Sequence, residues 1–183
     1  MDILIAGVGG QGTLLASRVL GKYALNNNLD CKLSEVHGMA QRGGSVITFV
    51  RMGQKINSPI IDIKGADIII AFEKLEALRY AHYLKDDGII LYSSQEIMPM
   101  PVVTGMAKYP EDISNKLPKA ACVDALAIAE SVGNAKCANS VMLGAFTKLM
   151  KLNKEDMEKA LEESIPQKML DINIKAFNLG YNA

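Results

Sequence analysis

The chain has 183 residues, enough for one domain with a sizeable core, and 49% of them are hydrophobic against 22% charged. Its 20 Lys and Arg balance its 20 Asp and Glu, so no strong electrostatic footprint for nucleic acid or an anionic membrane is expected. No apolar run approaches the roughly 20 residues of a membrane span, and Met1-Asp2-Ile3 enters a strand at once rather than a signal peptide, so the expected location is cytoplasmic.

Ile3 to Ala6 is a short continuous apolar run, as a parallel strand buried on both faces requires. Residues 11–25 read as a helix that ends in Asn26-Asn27-Asn28. Residues 31–36 are predicted as a second strand and 45–52 (SVITFVRM) as a third. Gly53-Gln54 is a turn signal, and 55–61 (KINSPII) is the candidate hairpin partner of that third strand. Ala66 to Phe72 is the clearest central strand. A helix is predicted over 73–85, where Leu75, Leu78 and Leu84 fall near one face. Asp87-Gly88 then turns the chain into another buried strand, 89–94. The stretch 98–117 is Pro-rich and irregular, with a candidate strand at Val102-Val103. Residues 119–125 read as a last strand and 126–133 as a short helix stopped by Gly133. A buried apolar helix follows over 137–151, and a charged amphipathic one over 153–164 with Asn153 as N-cap. The last helix, 166–181, has Gly180 as its candidate cap.

Strands alternate with helices, so the predicted class is α/β. The expectation is a Rossmann-like open, mostly parallel sheet with flanking helices and an antiparallel edge hairpin, all within one domain over residues 1–183.

Gly7-Val8-Gly9-Gly10-Gln11-Gly12 lies between the first strand and the first helix. The spacing Gly7-x-Gly9-x-x-Gly12 has a physical reading. The first glycine allows a tight turn, the second lets backbone approach a phosphate, and the third lets helix and strand pack closely. The free N–H groups at the helix start then face an anion. Gly7 and Gly12 also frame a P-loop, but Thr13 and Leu14 stand where Lys and Ser/Thr are needed. Nucleoside triphosphate hydrolysis is therefore not expected. The plainer reading is a glycine turn that only eases packing. A dinucleotide enzyme wants an acid at the end of its second strand, and Glu35 is in that region. A ribose contact and an ordinary surface acid both remain open for it. No Tyr-x-x-x-Lys pair accompanies it, and little chain is left for a substrate domain.

The stretch Glu35 to Val46 (EVHGMAQRGGSV) is more unusual. His37, Gln41 and Arg42 bunch between glycines near the carboxyl end of the second strand, where open α/β sheets bind ligands. Arg42 can fork two hydrogen bonds to a phosphate or carboxylate. Gly43 and Gly44 permit close backbone approach. His37 is the one candidate catalytic group, as an acid or base, although no partner for it is readable. The alternative is a polar loop with a solvated His. Cys31, Cys122 and Cys137 are far apart and form no CxxC, so no disulfide, zinc or iron–sulfur set is expected. His82 reads as a surface or half-buried side chain, Glu73 as an acid of a helix's first turn, and Asn139 and Ser140 as polar positions in an apolar helix.

The two loops together, IAGVGGQGTLLASRVL and SEVHGMAQRGGSV, resemble the gamma-type domain of 2-oxoacid:ferredoxin oxidoreductases. The likeness continues through ADIIIAFEKLEALR, NSVMLGAF and ESIPQKMLDINIKAFNLGY, and so covers nearly the whole chain. It implies an accessory subunit of a complex that carries out CoA-dependent oxidative decarboxylation of aryl pyruvates such as indolepyruvate, with reduction of ferredoxin. It also implies that thiamine diphosphate, magnesium and 4Fe-4S clusters belong to a large partner subunit. The absence here of a cysteine cluster and of a GDG…NN pattern agrees with that division. The isolated chain is then expected to be inactive and able to form a homodimer. The implied role for Gly9, Gly10, Gln11 and Gly12 is to hold a CoA phosphate through backbone, with Arg42 adding charge. Alternatively, the 36–44 loop closes the partner's thiamine site.

Overall fold

Six strands form one sheet in the order β2-β3-β1-β4-β5-β6. They are β1 (Asp2–Val8), β2 (Asp30–His37), β3 (Ser45–Gly53), β4 (Ala66–Ala71), β5 (Leu84–Ser93) and β6 (Ala120–Val123). The structure is a computed structural model that describes residues 1–37, 44–117 and 119–183, without the side chain of His37.

β1, β4, β5 and β6 run parallel, as their short apolar runs predict. β3 is antiparallel to both neighbours, pairing Leu4 with Phe49 on one side and Glu35 with Thr48 on the other. The expected hairpin of 45–52 with 55–61 therefore does not form. The antiparallel edge hairpin is β2–β3, and 55–61 contains no strand. The reason is visible in β3 itself: Val46 to Val50 are all buried, which only an interior strand with both faces covered allows.

The helices are α1 (Thr13–Asn26), α2 (Lys74–Tyr80), α3 (Met100–Val103), α4 (Ile113–Lys116), α5 (Ala125–Ser131), α6 (Ala138–Leu149), α7 (Lys154–Glu162) and α8 (Leu170–Asn182). Alternate strand side chains point to opposite faces. Ile3, Ile5, Val50, Ile68, Ile70 and Leu91 pack under α1, α5, α6, α7 and α8. Leu4, Ala6, Phe49, Ile69, Ile90 and Tyr92 pack against α2 and against Ile113 and Leu117. Each fully buried aliphatic side chain contributes about 1.5–3 kcal/mol by leaving water.

Several expected boundaries shift. The helix predicted over 73–85 ends at Tyr80, a 3-10 turn covers Ala81–Tyr83, and β5 starts at Leu84. Asp87-Gly88 is thus not a turn before the strand. It lies inside β5, where the register to β4 shifts between Ala66 and Ile68. Val102-Val103 is helical rather than extended, because Pro101 sits in the first turn of α3, where no donor is missed. Asn153 does cap α7, its Oδ1 accepting the Asp156 N–H at 2.9 Å. Gly180 is no cap. It lies within α8, where a Cβ would come 2.0 Å from the Val141 carbonyl oxygen, while a Cβ on Gly144 would come 2.0 Å from that of Phe177. These two glycines let α6 and α8 cross backbone to backbone.

β1 leads through α1 to β2 on one side of the sheet, and β4 leads through α2 to β5 on the other. The chain therefore diverges between β1 and β4. Outside their carboxyl ends lies the crevice where open α/β sheets place ligands.

Candidate functional site

The glycine loop occupies this crevice. Gly10 has φ +107° and Gly12 φ +83°, both in the left-handed region that favours glycine. At Gly7 the limit is space: a Cβ there would meet Thr13 Cγ2 at 2.9 Å. Two loop N–H groups are engaged internally, Gly9 to the Gly44 carbonyl at 2.9 Å and Gln11 to that of Val8 at 3.1 Å. The N–H groups of Gly10, Gly12, Thr13 and Leu14 have no hydrogen-bond partner among the described residues. Gly12 stands at the N-cap of α1 and no side chain caps it. The partial positive charge of a 14-residue helix is thus presented to the crevice.

The Gln11 side chain does not face outward. Its Oε1 accepts the Val8 N–H at 2.8 Å, and its Nε2 donates to the Phe72 carbonyl at 3.0 Å and to Gln95 Oε1 at 2.9 Å. One amide therefore staples the glycine loop to the chain just after β4 and β5. Sequence reasoning placed Gln11 in the loop but had no signal for partners 61 and 84 residues away.

Glu35 lies on the edge strand, exposed, and accepts the Thr48 hydroxyl at 3.3 Å. With Gly9, Gly10, Gly12, Thr13 and Val46 it borders a hollow of about 430 Å³. Because β3 is inserted between β1 and β2, Glu35 is two strand spacings, about 10 Å, from β1. An acid serving a dinucleotide ribose belongs on the strand next to β1, so this placement favours the surface-acid reading. Gln41, Arg42, Gly43 and the side chain of His37 lie outside the described residues. The chain re-enters at Gly44, held by Gly9, and at Ser45. The Ser45 hydroxyl donates to Glu76 Oε2 and lies 2.8 Å from the Tyr80 hydroxyl. Glu76 is 3% exposed, and its other oxygen accepts Arg79 Nε at 3.0 Å. A buried carboxylate on α2 therefore anchors the loop's exit. Ser45 gave no sequence signal for this.

Glu73 acts as the first-turn acid expected of it. It is 1% exposed and caps α2 through the Glu76 N–H at 2.9 Å, while its other oxygen accepts the Ile97 N–H at 3.1 Å and the Tyr109 hydroxyl at 3.0 Å. Burial, with the neighbouring Glu73 charge, pushes the Tyr109 phenol well above its ordinary range. The tyrosine is a fixed donor that pins the 98–112 segment to the site's floor. His82 is exposed, as expected.

On the α6 side of the glycine loop lies a second cavity, about 490 Å³. Asn139 reaches it from the first turn of α6, and its Nδ2 would stand 2.4 Å from a Cβ on Gly12. Ser140, fully buried, donates to Asn173 Oδ1 at 2.7 Å, and Asn173 Nδ2 donates to the Met169 carbonyl at 2.8 Å. Polar groups in the apolar α6 thus serve both the helix pairing and the cavity wall. Burial raises the thiol pKa of Cys137, and burial with Asp30 raises that of Cys31, so both are held as neutral thiols. Among the described residues no group of three or more His, Cys, Asp or Glu is placed to hold a metal ion. No helix is long and apolar enough to cross a membrane among those described. What the site can do chemically is bind: it offers backbone donors, an uncapped helix start and apolar walls.

Residues 2–183 match the family described as pyruvate ferredoxin/flavodoxin oxidoreductase. The indolepyruvate oxidoreductase subunit IorB of Pyrococcus horikoshii is 39% identical over 191 residues, spanning 100% of this chain and 95% of the relative. Its counterpart from Archaeoglobus fulgidus is 38% identical over 190 residues, spanning 100% and 94%. Among solved structures, the gamma subunit of the keto/oxoacid ferredoxin oxidoreductase of Geobacter sulfurreducens PCA has a TM-score of 0.76 at 26% identity, covering 99% of this chain and 96% of that one.

Proposed function

Since the chain belongs to the pyruvate ferredoxin/flavodoxin oxidoreductase family, we propose that it is the small, accessory subunit of an indolepyruvate:ferredoxin oxidoreductase. The carrying observation is similarity to subunits of that name over 100% of this chain and 94–95% of theirs. The whole chain acts as one gamma-type domain in the cytoplasm. Thiamine diphosphate, magnesium and the 4Fe-4S clusters sit on a large partner subunit, and ferredoxin is reduced there. Met98, Met100, Val103 and Met106 are all exposed within one short segment. Such an apolar patch supports a partner-facing surface, and it is where the isolated chain would pair with itself.

The chain's own part is to hold and orient coenzyme A. When bound, coenzyme A supplies the thiol that takes up the acyl group. The residues present fit its diphosphate: four unengaged N–H groups at an uncapped helix start, beside a glycine with nothing within 4 Å of its Cβ position. Gly9 shapes the turn, Gln11 holds the loop rigid, and Arg42 supplies charge from the adjoining loop. His37 has no catalytic part in this reading. The stand-alone dinucleotide enzyme is disfavoured by the inserted β3 and by the relatives.

The test is co-expression of this chain with the large subunit, followed by indolepyruvate-dependent ferredoxin reduction. Activity is expected in the pair and in neither chain alone. Turnover linked to NAD(P) by this chain alone, or failure of the two to associate, would overturn the reading.

A further inference from the structure

We propose that Gln95 is a positioning residue for coenzyme A, setting the affinity of the glycine loop by fixing the side-chain amide of Gln11. The inference rests on the reading that this loop holds the CoA diphosphate. Gln95 follows β5, two strands away from β1, and is half-buried. Gly10 and Gly12 flank Gln11, both at positive φ, so backbone preference alone does not hold the turn. Its N–H groups converge on an anion only when the turn is ordered, and ordering left to the moment of binding is subtracted from affinity.

The Gln11 side chain supplies that order beforehand, and chemistry dictates which way its amide lies. The Val8 N–H only donates, so the atom 2.8 Å from it is Oε1. The Phe72 carbonyl only accepts, so the atom 3.0 Å from it is Nε2. A Cβ on residue 7 would meet that Oε1 at 3.1 Å, so Gly7 leaves the amide its room. The second Nε2 hydrogen then needs an acceptor, and Gln95 Oε1 stands 2.9 Å away. Val8 and Phe72 contribute backbone atoms to the Gln11 amide, whereas Gln95 contributes a side chain, which substitution can remove. Gln95 is itself anchored at both ends of its peptide unit. Its N–H donates to the Ser93 hydroxyl at 3.4 Å, and its carbonyl accepts the Lys74 N–H at 2.9 Å, at the start of α2. The glycine loop is thereby referenced to β5 and α2 rather than to its own glycines. Without the Gln95 acceptor the loop keeps its fold but samples geometries in which the N–H groups of Gly10, Gly12, Thr13 and Leu14 no longer converge.

The experiment is calorimetric titration of coenzyme A into the reconstituted pair of subunits, with steady-state kinetics alongside, for Gln95→Met, Gln11→Met and the double variant. Methionine matches the length of glutamine and lacks the amide; Gln95→Ala repeats the test if methionine does not pack. Gln95→Met is expected to weaken CoA binding by about fivefold and Gln11→Met by about tenfold. The KM for CoA should rise with the loss of affinity, while kcat and the KM for indolepyruvate stay within about twofold. Because Gln95 acts through Gln11, the double variant should bind CoA no more weakly than Gln11→Met alone. Losses that multiply in the double variant overturn the proposal. So does a Gln95→Met variant that keeps its CoA affinity, or one that lowers kcat with the KM for CoA unchanged. Gly9→Val in the same titration separates this proposal from the reading beneath it. If Gly9→Val leaves CoA affinity intact, the loop does not hold the diphosphate and both fall. If Gly9→Val weakens CoA binding and Gln95→Met does not, only the role of Gln95 falls.

Discussion

The N–H of Gly9 donates to the carbonyl oxygen of Gly44 at 2.9 Å. The two glycines are 35 positions apart in the chain, yet this bond joins the glycine loop to the exit of the loop that carries Arg42. The glycine loop and the entry to β3 are therefore tied together.

A side chain at Gly9 should act on ligand approach more than on folding, since this residue is only half-buried. Gly9→Val is expected to lower CoA affinity and the activity of the reconstituted complex by at least about tenfold. The melting temperature should move by only a few degrees, roughly what about 1 kcal/mol produces. If affinity and activity both survive, the glycine loop is not the phosphate cradle.

Gln11→Glu keeps the size of the side chain but replaces a donor by an acceptor. The new carboxylate would face the Phe72 carbonyl and Gln95 Oε1, which now receive Nε2. A loss of about 1–3 kcal/mol is expected, measurable by denaturant unfolding. Gln11→Ala should lose less, because no repulsion is introduced.

Gly144→Ala and Gly180→Ala each place a methyl 2.0 Å from a carbonyl oxygen of the opposite helix. Overpacking of backbone against backbone has no rotamer to relieve it, so about 3 kcal/mol or more should be lost in each. Gly10→Ala is the control. It meets nothing within 4 Å and pays only for its positive φ, about 1 kcal/mol. Equal effects at Gly10 and Gly144 would contradict the close helix crossing.

Tyr109→Phe removes one of three donors to the buried Glu73 carboxylate. Hydrogen bonds to charged groups contribute about 1.5–3 kcal/mol. The loss should appear as lower stability and, more specifically, as faster proteolysis within 98–112. The wild-type phenol, held up by burial and by Glu73, should be among the last tyrosines to ionise in an alkaline absorbance titration, and Tyr109→Phe should delete that step.

Burial alone would raise the Asp67 carboxyl. The hydrogen bond and charge of Lys85 and the Asp2 N–H at 2.7 Å outweigh it, and the net pKa is below the ordinary value. A depressed carboxyl stabilises the fold above the unfolded pKa, about 3.9, and ceases to do so as pH falls through the lower folded value. Asp67→Asn should thus melt lower than wild type at neutral pH and match it near pH 2. The Lys85–Asp67 pair is about one third exposed, so its share should be about 1 kcal/mol or less. A constant difference down to pH 2 would rule out the linkage.

Much of the fold was legible because its signals are local. Ile3 to Ala6 and Ile68 to Phe72 are continuous apolar runs, as strands buried on both faces require. Asn153 announces α7 by its side chain, and Gly133, at φ +95°, ends α5 as its position implies. The glycine spacing located the turn between β1 and α1, because a tight turn between strand and helix needs those residues wherever the strand lies in the sheet.

Strand order and side-chain partnership were not legible. The run 45–52 is as hydrophobic as a strand must be, but periodicity states which face a side chain takes and not which strand lies beside it. Only the assembled sheet inserted β3 between β1 and β2 and so set Glu35 two strands from β1, across a hollow from the glycine loop. Gly180 has the sequence position of a helix cap, and Gln11 that of a phosphate ligand. Gly180 instead meets Val141, and Gln11 meets Phe72 and Gln95. The sequence by itself determined most of the elements and the family pattern, since each rests on neighbouring residues. The tertiary structure alone decided which polar groups are engaged, as Gln11 is with Phe72 and Gln95, since that depends on contacts between residues far apart in the chain.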